Sequence, residues 1–186
     1  MKEVDNIVRI LEETRRAISE NDPYRMKRLS NQTIHSAAVY QDMDNIMVAV
    51  LVYALSKVME RDHYREMPGW NEFYKAMLKN LDSAIFALEK DDVERFRTSI
   101  GKVRGDIEKI SGSLKSYIRD VFYKAEVNKA SKLYEHGLSL EQTSSLLGVS
   151  LWDLSSYVGQ STISEAHANV SLPVKERVRI AEEVFG

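Results

Sequence analysis

No cysteine occurs in the 186 residues, and prolines number three and glycines eight. The missing thiols exclude disulfides, thiolate zinc sites, iron–sulfur clusters and cysteine nucleophiles together. Glycine and proline combined reach roughly half of the about 12% usual in globular chains. Turns draw on both residues, so a sandwich or barrel of many short strands is excluded. An excess of one charge is also lacking: 26 Lys and Arg stand against 28 Asp and Glu, a net charge of −2. Nucleic-acid binding by bulk charge alone is therefore not expected. The most apolar run, 46–55 (IMVAVLVYAL), has ten residues, where a membrane span needs about 20. Residues 1–6 contain no apolar signal core. These features lead to the expectation of a cytoplasmic protein with no membrane partner.

What is present is the composition of a folded chain, 44% hydrophobic and 29% charged. Helical periodicity runs along most of it. Val4, Ile7, Val8, Leu11, Ala17 and Ile18 form a first stripe. Asp22 and Pro23 suit the cap and first turn of a second helical region, about 23–60, with a possible break near 29–31. Its second half is apolar all round, as for the central helix of a bundle. Pro68-Gly69 is a clear break, and a third helix is expected over about 71–89. Then Val93, Phe96, Ile100, Val103, Ile107, Ile110, Leu114, Tyr117 and Val121 alternate at spacings of three and four. That pattern predicts one long heptad helix, able to serve a second copy of the chain as well as its own bundle. Gly101, Gly105 and Gly112 interrupt it; they suggest close helix approach or a bend, and Gly112 can split the helix. No strand pattern and no internal repeat is evident.

The run 126–158 ends in LSLEQTSSLLGVSLWDLSSYV. Ser139 and Gln142 have the spacing of a capping box. Ser144 is a small residue between two helices, Leu147 points to a shared core, and Gly148 suits a left-handed turn. Val149 packs below the turn, Ser150 can cap a second helix over about 151–159, and Leu154 with Tyr157 or Val158 gives that helix a buried face. Over these residues the chain resembles the helix-turn-helix of prokaryotic DNA-binding regulators. The unit with its tail, including a last helix expected over about 173–185, is similar to small antitoxins. The resemblance implies that Ser150, Leu151, Trp152, Ser155 and Ser156 face a DNA groove and that Lys129 and Lys132 of the supporting helix, with Lys124, meet phosphates. Against it, 137–174 contains no Lys or Arg, and phosphate neutralisation dominates DNA affinity. An exposed Trp152 on a polar helix suits a protein interface equally well.

A polar stripe, Arg28, Asn31, His35, Asp42 and Asn45, falls at helical spacing on the most apolar region. It reads as a solvated or hydrogen-bonded face, or as a metal or polar pocket around His35 and Asp42. Arg28 and His35 are also separated by six residues, which resembles the ribonuclease signature of HEPN helical bundles, where Arg and His act on a ribose hydroxyl and the scissile phosphate. Leu29 departs from that pattern. Glu60 and His63 form a single Glu-x-x-His, half of what a di-iron bundle needs. There is no phosphate loop and no catalytic serine motif.

The expected fold is all-α: an antiparallel helical bundle with a long heptad helix over 1–124, then a small helix-turn-helix unit with a C-terminal helix over 125–186. The expected function is a non-enzymatic cytoplasmic regulator that binds DNA through the second unit and uses the bundle for dimerisation or partner binding. The alternatives are a protein-interaction or antitoxin-like module that never meets DNA, and a HEPN-like ribonuclease. No cofactor and no metal is implied; the expected partners are DNA, a protein, or a second copy of the chain.

Overall fold

The computed structural model describes residues 3–166 except Gln41, Ser111 and Gly148. The described residues form helices joined by short turns, and no strand occurs among them. The first six helices are α1 (Val4–Ser19), α2 (Pro23–Tyr40), α3 (Met43–Met59), α4 (Trp70–Glu89), α5 (Val93–Ile107) and α6 (Ser113–Glu135). A 3-10 turn, Asp62–Glu66, links α3 to α4. Two further helices follow, the short α7 (Leu140–Leu147) and α8 (Leu151–Ala166). No described helix is long and apolar enough to cross a membrane.

The apolar run 46–55 forms most of α3, which is buried on nearly every side. It packs against α1, α2, α5 and α6. One continuous core gathers Ile7, Leu11, Met26, Leu55, Phe73, Leu81, Phe96 and Ile118 from the first six helices. Asp44 in the first turn of α3 is also buried, and Arg97 of α5 grips both of its oxygens at 2.8 and 3.0 Å. A buried carboxylate needs such a partner.

α1–α3 recur as α4–α6 at an offset of 70 residues. Asn21 and Asp91 occupy the left-handed region with φ of 55° and 56°. The Asp22 and Asp92 amides both donate at 2.8 Å, to the carbonyls of Ala17 and Ala87. Their carboxylates both cap the next helix, accepting from the amides of Arg25 and Arg95 at 2.8 and 2.9 Å. Burial along 4–20 matches burial along 74–90 position for position. This corrects the reading of no internal repeat. Few residues are identical across the offset in α1 and α2: Leu11 and Leu81, Ala17 and Ala87, Asp22 and Asp92, Arg25 and Arg95. The repeat is preserved in burial and turn geometry rather than in letters.

Two helix boundaries also differ from expectation. The long heptad helix is two helices, α5 and α6, divided after Ile107. Gly112, with φ of 73°, sits just before α6, a conformation that residues with a Cβ rarely hold. Phe96, Ile100, Val103, Ile107, Ile110, Leu114 and Val121 are all buried within the chain. The heptad pattern therefore serves the internal core and leaves no continuous seam for a second copy. Likewise, the region 23–60 does not break near 29–31, where Ser30 Oγ donates to the Ala49 carbonyl at 2.6 Å. It divides between Tyr40 and Met43 instead, with the Asp42 carboxylate accepting from the Asp44 amide at 2.9 Å. Asp42 is thus a helix cap, and Asp42 and Asn45 do not continue the stripe of Arg28, Asn31 and His35.

Candidate functional site

α6 runs without interruption through residue 124, so the supporting helix of the C-terminal unit is also a core helix of the bundle. Val127 and Ala130 of α6, Val149 before α8 and Leu154 of α8 form a small separate core, with Leu140, Leu147, Tyr157 and Val158 packed against it. The Gln142 amide donates to Ser139 Oγ, and the Ser139 amide to Gln142 Oε1, both at 3.1 Å. These bonds form a complete capping box at the start of α7. The Asp153 amide donates to Ser150 Oγ at 3.0 Å, which caps α8. Ser144 Oγ donates to the Val149 carbonyl at 2.6 Å, tying α7 to the turn. Gly148 and the helix expected over 173–185 lie outside the described residues.

The exposed side of α8 carries Leu151 and Trp152, 45% and 79% exposed, flanked by exposed Ser150, Ser155 and Ser156. Ser150 is engaged in the cap, and Ser155 Oγ donates to the Trp152 carbonyl at 3.0 Å. Asp153 accepts from the Tyr123 hydroxyl of α6. The Ser150 hydroxyl donates to the same carboxylate, and this bond, with that of Tyr123, holds the carboxyl below the usual range.

The expected phosphate contacts are placed differently. Lys129 is 1% exposed. Its ammonium donates to Asn31 Oδ1 at 2.8 Å and lies 4.3 Å from the centroid of the Tyr53 ring. Lys129 is therefore corrected from a surface contact to an interior cation, because α2 and α3 cover that side of α6. Burial, with Lys132 and Lys27 nearby, pushes its pKa down to about 8. Lys132 is on the surface, paired with Glu135 at 2.6 Å, and Lys124 pairs with Asp120 at 2.8 Å.

Arg28 and His35 lie on the exposed side of α2. The His35 ring meets the His136 ring at the end of α6, edge to face, with centroids 5.4 Å apart. Two contacts thus join α2 and α6 here, Asn31 with Lys129 and His35 with His136; Arg28 and Lys132 lie at helical spacing from them. Arg28, Asn31 and His35, like Lys129, Lys132 and His136, have spacings of three and four, so each set forms one helical stripe. The second stripe was missed in the sequence; that shared spacing, on a helix expected to support DNA binding, was its only signal. Among the described residues, no group of three or more His, Asp or Glu is placed to hold a metal ion.

Comparison with known protein families, curated proteins and solved structures finds no match to this chain.

Proposed function

We propose that the protein is a non-enzymatic regulator whose C-terminal unit docks a protein partner through α8. The observation that carries this reading is Trp152, 79% exposed beside Leu151 on the first turn of a well-capped helix. Exposed aromatic anchors of this kind dominate binding energy where they enter a partner's pocket. Charge supports it: Glu141, Asp153 and Glu165 are the only charged residues across 137–174. The matching surface is therefore an apolar pocket rimmed by Lys or Arg.

Duplex DNA is the second reading, favoured by the succession of two capped helices, α7 and α8, packed on α6. Its weakness is electrostatic. The α8 face offers no cation to a phosphate, Lys129 is interior, and Lys124 and Lys132 are each matched by a carboxylate.

Co-expression with proteins encoded beside this one, followed by purification with Trp152→Ala and Leu151→Ala, tests the first reading. A partner retained by the native chain and lost from both variants is the expected result. A gel shift on the protein's own upstream DNA at low salt, falling steeply as salt rises, would replace it with the second.

A further inference from the structure

α3, α5, α6 and α7 leave a cavity of about 260 Å³ between them. Met43 and Met47 of α3, Phe122 of α6 and Leu147 of α7 are part of its apolar lining. Leu147 also packs on the small core of the C-terminal unit, so the cavity lies where that unit meets the bundle. Ligand sites favour such junctions, and they combine apolar walls with a few polar groups. This cavity has that composition: its charged lining residues, among the described ones, are Arg104 of α5 and Glu126 of α6. Two methionines in the wall can adjust to the shape of an occupant. Met43, Gly101 and Arg104 of the lining are exposed, which opens the cavity to solvent. At Gly101 no side chain stands in the way, and a Cβ built there meets nothing within 4 Å.

The ion pair in the lining is unequal. Glu126 and Arg104 meet at 2.5 Å, with side chains 9% and 66% exposed. Burial pushes the Glu126 carboxyl up, against the pull of the arginine. If the pair separates, Arg104 returns to water at little cost, whereas Glu126 is left as a buried charge and needs another partner. An anionic occupant would draw Arg104 away and strand the carboxylate. A cationic occupant takes the place of Arg104 and releases it to solvent.

We propose that this cavity binds a small apolar molecule carrying a protonated amine, its apolar part against Met43, Met47 and Phe122 and its ammonium on Glu126. The ammonium donates to a carboxylate already out of water, where a charge-assisted hydrogen bond is strongest.

The test is calorimetric titration of the full chain with 4-phenylbutylamine, 4-phenylbutyrate and 4-phenylbutanol, which share a shape and differ in charge. The amine is expected to bind about tenfold or more tightly than the other two, the gain of one charge-assisted contact. Glu126→Gln should reduce the amine to the affinity of the alcohol. Arg104→Ala leaves Glu126 unpaired and should melt below the native chain, with the amine restoring more of the melting temperature than the alcohol does. Methyl spectra of the native chain locate the ligand, because its phenyl ring should shift the Met43 and Met47 resonances. No heat from the amine at millimolar concentration, butyrate binding as tightly as the amine, native-like amine binding by Glu126→Gln, or methyl shifts confined to other methionines overturns the proposal.

Discussion

The Lys129 ammonium donates a 2.8 Å hydrogen bond to Asn31, 98 residues earlier in the chain. It does so from a position only 1% exposed. A pKa lowered from 10.5 to about 8 means that the protonated form costs the folded chain about 3 kcal/mol at neutral pH. Lys129→Met keeps the length of the stem and removes the charge. It is expected to stabilise the chain by about 2 kcal/mol at pH 7, the lost ring contact offsetting part of the gain. Thermal denaturation should show a rise of about 4–8 °C.

The same lysine sets a pH dependence. Between about pH 8 and 10.5 the unfolded chain holds this proton more firmly than the folded one, so the lysine's contribution to folded stability rises with pH across that window. The penalty is fully present below pH 8 and is lost above the unfolded value. The stability advantage of Lys129→Met should accordingly shrink as pH rises from 7 to 10. Urea denaturation of the two chains side by side checks this, because their difference removes the other titrating groups.

Three glycines in the heptad region should respond in opposite ways. Gly101 and Gly105 lie inside α5 with open space where a side chain would go. Replacing each by alanine should stabilise by about 0.5–1 kcal/mol. Gly112 holds a φ of 73°, so Gly112→Ala should destabilise by about 1 kcal/mol or more. Urea denaturation midpoints of the three variants decide the signs.

The internal repeat makes a paired prediction. Asp22 and Asp92 cap α2 and α5 through the same bond at nearly the same distance. Asp22→Ala and Asp92→Ala should each cost about 1 kcal/mol, and the two losses should agree within a few tenths of a kcal/mol and add in the double variant. Chemical denaturation of the three chains measures both points.

Much of the fold was legible because helical periodicity is local. The stripe beginning at Val4, the apolar helix around Leu51 and the capping box of Ser139 and Gln142 each require only neighbours in sequence. The division at Gly112 was visible as an option, but the heptads continue across it, so spacing alone could not choose. The repeat was hidden because matched positions share burial rather than identity, as Ile7 and Met77 or Met26 and Phe96 do. At the candidate sites, Trp152 could be placed on an exposed face by periodicity. The fate of Lys129 could not: whether a lysine on α6 meets solvent depends on where α2 and α3 lie across the chain. The contact of His35 with His136 is hidden for the same reason.

The central claim is that α8 offers Trp152 to a protein rather than to DNA. Trp70→Phe removes the other tryptophan, which is buried, and leaves Trp152 as the only indole. Acrylamide quenching should then report a fully accessible tryptophan in the free chain. That accessibility should fall when the co-purifying partner is added and stay unchanged with duplex DNA at low salt. Protection by the DNA, reversed as salt is raised, would contradict the account.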